Sequence, residues 1–164
     1  MERSHHAQPP GPRRGDPKAL NERLSAALQA AGRHEEAAAA YQRVIDGGRR
    51  DAPAFVHLGM LYEQAKKLET AVRAFQEAYR LDPRNVQIIP SIAGVLQTMG
   101  RHLEASQWLQ GACTIAPRDA EVHFALATCY LAMGRWAEAN AEYGVLCQLD
   151  TQLATKLYHM MGGR

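Results

Sequence analysis

Apolar residues pair four apart along this chain, and the pairs recur with a period of 34 residues. One set is Leu24/Leu28, Leu58/Tyr62, Ile92/Leu96 and Leu126/Tyr130. Between its members run Ala37/Tyr41, Ala71/Phe75, Ala105/Leu109 and Ala139/Tyr143. An i, i+4 relation puts both members of a pair on one helix face. The pattern therefore predicts helix, turn, helix, four times over. A third column stays small: Ser25, Gly59, Ala93, Ala127. A fixed period near 34 marks a stacked array, because one such unit cannot bury its apolar face alone.

The alanine column has a packing reason. Helices that cross closely need a small side chain where their backbones approach. A bulky residue there would overpack the contact at a cost of about 1–3 kcal/mol. The turns are also written in the sequence. Gly32, Gly100 and Gly134 stand where the first helix of a copy should end. Glycine enters the left-handed cap without steric strain. Copy two has Lys66 there, so its turn is predicted to be the least ideal.

Copy two carries Phe55, Leu58, Gly59, Tyr62, Ala71, Phe75, Ala78 and Pro83 in order. That set resembles the tetratricopeptide repeat. The resemblance implies an all-α helix-turn-helix solenoid, a right-handed superhelical array, with copies at 18–51, 52–85, 86–119 and 120–153. Pro83 and Pro117 close copies two and three, whereas Arg49 and Thr151 stand at the matching places of copies one and four. Pro90 falls inside the expected first helix of copy three and is predicted to shift its start or bend it. Asp16-Pro17 reads as a helix start, with Asp51, Asn85 and Asp119 as caps of the later copies. Residues 154–161, with Leu157, Tyr158, Met160 and Met161, read as a short helix covering the open end. Residues 162–164 are a tail. Residues 1–17 contain Pro9, Pro10, Pro12 and Pro17 and no apolar period, so a flexible leader is expected.

Composition narrows the function classes. The net charge of +2 is too small to imply nucleic acid. No apolar run reaches membrane-span length, and the N-terminus lacks a secretory core even with Arg13-Arg14. Three scattered cysteines, Cys113, Cys129 and Cys147, fit a reducing compartment. A cytoplasmic protein is expected.

Candidate chemistry is sparse. There is no phosphate loop, no HExxH and no CxxC, so no enzyme, cofactor or metal is expected. His5-His6 reads as incidental. His34 and His102 share a turn position with Trp136 and read as helix-start packing. Cys113 and Cys147 share a repeat position and read as packing. The column Arg33/Lys67/Arg101/Arg135 is followed by Glu36, Glu104 and Glu138. It reads as an ion-paired, solvated turn rather than a phosphate track.

The resemblance implies that first helices line a concave groove, through the second, fifth, ninth and twelfth places of each copy. Copy one supplies Ala19, Glu22, Ala26 and Gln29. Copy two supplies Pro53, Val56, Met60 and Glu63. Copy three supplies Gln87, Pro90, Gly94 and Gln97, and copy four Glu121, Phe124, Thr128 and Leu131. Glu22, Ala26, Val56 and Met60 stand where some relatives carry the lysine and asparagine that grip an acidic chaperone tail, so that activity is not expected. Val56, Met60, Pro90, Phe124 and Leu131 instead form a candidate apolar trough, with Gly94 and Thr128 leaving pockets. Residues 18–85 hold 11 Lys/Arg and 9 Asp/Glu, whereas 86–153 hold 3 and 6. The less charged half leaves apolar surface for a partner.

The reading is a non-catalytic adaptor that holds a partner segment with apolar anchors. Two alternatives stay open. One is a small bacterial secretion chaperone, similar in size and architecture to the repeat-containing type III class. The other is a scaffold that self-assembles through the array ends into a homo-oligomer.

Overall fold

The computed structural model describes residues 16–163. The expected leader, with its His5-His6 and Arg13-Arg14, falls almost wholly outside them. Among the described residues there are nine helices and no strands. They are α1 Pro17–Ala30, α2 His34–Asp46, α3 Ala52–Gln64, α4 Leu68–Leu81, α5 Ile88–Thr98, α6 His102–Ile115, α7 Ala120–Ala132, α8 Trp136–Leu149 and α9 Thr151–Met160. Consecutive helices pack on one another along the whole chain, as in a solenoid.

Aspartate side chains cap four of the nine described helices, α1, α3, α7 and α9. Asp16 accepts from Lys18 N at 3.0 Å, Asp51 from Ala54 N at 2.8 Å and Asp119 from Glu121 N at 3.1 Å. Asn85 does not play this part. α5 begins at Ile88, behind Gln87 and without a side-chain cap. The reason is Pro90. It sits at the third position of the observed helix, where an N–H has no intrahelical partner anyway. A helix begun just after Asn85 would place Pro90 deeper and forfeit a hydrogen bond.

The alanine column behaves as its spacing predicts: Ala37, Ala71, Ala105 and Ala139 are each 0% exposed. The small column Ser25, Gly59, Ala93 and Ala127 is buried too. Ser25 Oγ donates to the Ala37 carbonyl at 2.9 Å, so a polar atom is tolerated there because it is satisfied. The turn glycines Gly32, Gly100 and Gly134 have φ between 71° and 74°, and Lys66 takes the same conformation at φ 60°.

Two expectations need correction. Leu24 does not join the core; it is 41% exposed, while Leu58, Ile92 and Leu126 are 3%, 0% and 2%. The later helices have a preceding repeat to pack against, and α1 has none among the described residues. The final helix begins at Thr151 rather than 154. Asp150 ends α8 and caps α9 at once, accepting from Gln152 N at 2.8 Å. α9 buries Ala154 and Leu157 against Ala127 and Leu146, a small second core at the C-terminal end. Tyr143 is only half-buried at this end and lies against Tyr158, with ring centroids 6.0 Å apart.

Tyr130 is buried in the core, as its column predicts, and it also makes polar contacts. Its hydroxyl oxygen accepts from Gln110 Nε2 at 2.7 Å, which ties α7 to α6. The Arg135 guanidinium carbon lies 4.9 Å from its ring centroid, at the turn into α8. The physical reason is the hydroxyl: a buried tyrosine needs a partner for its polar end, and its ring face attracts a cation. Leu96, the counterpart of Tyr130 in copy three, is 0% exposed and has no such polar end.

Candidate functional site

The first helices carry the candidate trough. On α3, Met60 is 45% exposed, Val56 is half-buried one turn earlier, and Glu63 is exposed at the edge. On α5, Pro90 is half-buried and Gly94 exposed, with no heavy atom within 4 Å of where its Cβ would stand. Of these expected groove positions Met60, Glu63 and Gly94 are exposed, whereas Val56 packs in part against the main core.

Other expected groove residues are engaged within the molecule. Phe124 and Leu131 pack in the C-terminal cluster with α9, and Lys156 Nζ lies 4.8 Å from the Phe124 ring centroid. They are lost to the groove because the capping helix needs an apolar floor. Thr128 Oγ1 donates to the Ala125 carbonyl at 2.7 Å, which holds it on its own helix. Gln97 Nε2 faces the Ala125 carbonyl, Thr128 Oγ1 and Cys129 Sγ, at 3.2, 3.3 and 2.8 Å, and so ties α5 to α7. Gln29 Nε2 donates to Gln64 Oε1 at 3.0 Å, a tie from α1 to the end of α3. Glu22 accepts from Arg49 Nη1 at 2.5 Å. The expected trough residues that are not engaged in this way lie on α3 and α5.

The basic turn column is also engaged. Arg33 pairs with Glu36 at 2.6 Å and Arg135 with Glu138 at 2.6 Å, the latter while also lying over Tyr130. Arg101 pairs with Glu104, and Lys67 crosses to Glu35 in the preceding copy. These are surface pairs, each worth at most about 1 kcal/mol. They use up the cations a phosphate track would need.

Burial pushes the Cys113 thiol up to about 11, with Glu142 and Asp119 adding to the effect. Cys129 is raised by burial too, against a hydrogen bond from Gln97. Both stay protonated at neutral pH, and a thiol in that state is a poor nucleophile. Among the described residues no group of three His, Cys, Asp or Glu could hold a metal.

Three features escaped the sequence reading. His123 is buried at a place that holds Asn21, Phe55 and Ile89 in the earlier copies, with Nδ1 2.6 Å from Glu142 and Nε2 3.1 Å from the Pro117 carbonyl. A histidine where copies two and three carry Phe55 and Ile89 was the available signal. His57 lies on Tyr41, ring centroids 4.4 Å apart, where α3 meets α2. Between α4, α5 and α6, Tyr79, Ile89, Gln107, Trp108, Gly111 and Ile115 line a cavity of about 350 Å³. Its signal was the uncharged row Leu103, Gln107, Gly111, Ile115 along α6.

Models of the tetratricopeptide repeat match residues 22–86 and 96–146. The chain belongs to the tetratricopeptide repeat family. Its repeats are similar to part of the general transcriptional corepressor trfA of Dictyostelium discoideum, 27% identical over 89 residues, 54% of this chain and 6% of that protein. They are also similar to part of anaphase-promoting complex subunit 3 of Schizosaccharomyces pombe, 27% identical over 119 residues, 73% of this chain and 18% of that one. This chain thus spans a small part of these relatives. Among solved structures, MamA MSR-1 superposes with a TM-score of 0.69 at 24% identity, covering 82% of this chain and 78% of its own. MamA 41-end from Desulfovibrio magneticus RS-1 gives 0.71 at 20% identity, covering 84% and 77%. At that identity the likeness is one of fold. No described helix of this repeat array is long and apolar enough to cross a membrane.

Proposed function

We propose that this tetratricopeptide repeat array is a non-catalytic scaffold that holds a segment of another protein across its first-helix face, on Val56 and Met60 of α3 and Pro90 and Gly94 of α5. The observation that carries the reading is Met60, a flexible apolar side chain left 45% exposed at a groove position. Methionine adapts to varied apolar partners. On α5, the bare backbone at Gly94 leaves room for a partner side chain. A segment with apolar anchors suits such a surface better than an acidic tail does, because Glu22 is already paired and no cation stands at Val56 or Met60. The free thiols suit a reducing, cytoplasmic setting. The secretion-chaperone alternative rests on size and architecture alone.

The test is a pull-down from native extract with the wild type beside Met60→Glu, both checked for helicity by circular dichroism. Met60 is exposed enough for the variant to keep its fold. A partner retained by the wild type and lost by Met60→Glu supports the trough. Identical partners on both proteins would sink it.

A further inference from the structure

α1 differs from the other first helices in one respect. Leu20 is 64% exposed, whereas its counterparts Ala54, Ile88 and Val122 are 0%, 3% and 0%. Leu24 shows the same contrast with its own column. Ala27 is exposed where Leu61, Val95 and Cys129 are each 0%. In the three later copies these columns are covered by the second helix of the preceding repeat, with α3 on α2, α5 on α4 and α7 on α6. The C-terminal end has α9 as its cover. Nothing among the described residues covers the N-terminal end. Leu20, Leu24, Ala27 and Ala31 form an exposed row with four-three-four spacing, the spacing that seats a partner helix. Beside the row is a hollow of about 280 Å³ lined by Leu24, Leu28, Ala39, Ala40, Arg43 and the mutually paired Arg33 and Glu36.

Charge selects the occupant. Arg43 lines the hollow and Arg23 flanks the row, and neither has an acidic partner among the described residues. A second copy presenting the same face would bring arginine onto arginine. The opposite end is no better, since α9 contains no Asp or Glu and Asp150 is spent on its cap. Residues 1–15 carry Arg3, Arg13 and Arg14 against the single acid Glu2, and no Leu, Ile, Val or Phe. We propose that the exposed face of α1 docks an amphipathic helix of another protein, one with an apolar stripe flanked by acidic residues. That helix takes the place a preceding repeat would occupy. This surface is separate from the trough on α3 and α5.

The probe is a lactam-bridged helical peptide with the sequence of α4, Leu68–Leu81, which natively covers α5. Arg73→Glu and Arg80→Glu in the peptide make it acidic. Fluorescence anisotropy would follow its binding to the full chain. The acidic peptide should bind more tightly than the unaltered one. Binding should weaken by about ten-fold or more in Leu24→Asp, as expected for loss of a central anchor. It should weaken in Arg23→Glu/Arg43→Glu at low salt, with the difference closing at high salt. Leu20→Asp, at a still more exposed site, serves if Leu24→Asp loses helicity. Met60→Glu should bind as the wild type does. No saturable binding, or wild-type affinity in both aspartate variants, would overturn the proposal. So would self-association that Leu24→Asp abolishes, which assigns the face to a second copy. Hydrogen-exchange protection within residues 1–15 that Leu24→Asp removes would assign it to the leader and overturn the proposal as well.

Discussion

The ring of Phe75 lies so close to the backbone of Gly59 that a Cβ there would stand 2.8 Å from it. The ring is fully buried and has nowhere to retreat. Gly59→Ala should therefore destabilise the array by about 1–3 kcal/mol, the usual cost of overpacking. Gly94→Ala, at an open helical site, should be stabilising by about 0.5–1 kcal/mol. Denaturant melts of the two variants check the pair, and equal effects would contradict the packing.

Lys66 occupies a turn conformation that glycine fills in the other three copies. Its Cβ is strained at a positive φ, so Lys66→Gly should raise stability by about 1 kcal/mol. The loss of unfolded-state stiffness offsets part of this gain. A rise in Tm with unchanged helicity is the expected readout.

His57 has its imidazole pKa lowered, first by burial and then by the Arg49 guanidinium, against a smaller opposing effect of Glu22. The unfolded chain thus takes up a proton at a higher pH than the folded one. Stability is complete above the unfolded imidazole's pKa and is lost as pH falls from there toward the folded value. Thermal melts between neutral and mildly acid pH should show this loss, and His57→Gln should reduce it. An unchanged acid response in the variant would remove His57 from the account.

The three thiols should react in sequence. Cys147 is exposed, Cys113 is half-buried with its pKa pushed up to about 11, and Cys129 is buried. A thiol reagent at neutral pH should modify Cys147 first in the native protein and reach the other two at a rate limited by opening of the structure.

α9 holds the C-terminal core through Leu157, which is 0% exposed. Leu157→Ala should cost about 2–5 kcal/mol, the range for removing a fully buried leucine side chain. It should also raise hydrogen exchange at Phe124 and Leu131 in α7, whose cover it loosens. Protection unchanged in α7 would mean that the cap and the array unfold independently.

Much of this architecture is local and periodic, and so was legible in the sequence. Columns such as Ala37/Ala71/Ala105/Ala139 repeat because each copy solves the same packing problem. Caps such as Asp51 and Asp119 act within three residues of themselves. The array, its turns and the strained Lys66 follow from that information alone. The candidate trough was only partly legible. A groove position states where a side chain starts, and what meets it comes from elsewhere in the chain. Phe124 and Leu131 share a repeat place with surface residues, yet α9 folds over them. Gln97 looks free until α7 supplies three atoms for its amide. Tyr130 looks like plain packing until Gln110 of α6 meets its hydroxyl. Leu24 looks like core, yet no described residue packs over α1 as a preceding repeat would, and it stays 41% exposed. The sequence by itself determined the repeating unit, because helix periodicity and capping are short-range. Only the tertiary structure decided which copies of an equivalent residue are buried, because burial depends on the neighbouring repeat and the ends of the stack have different neighbours.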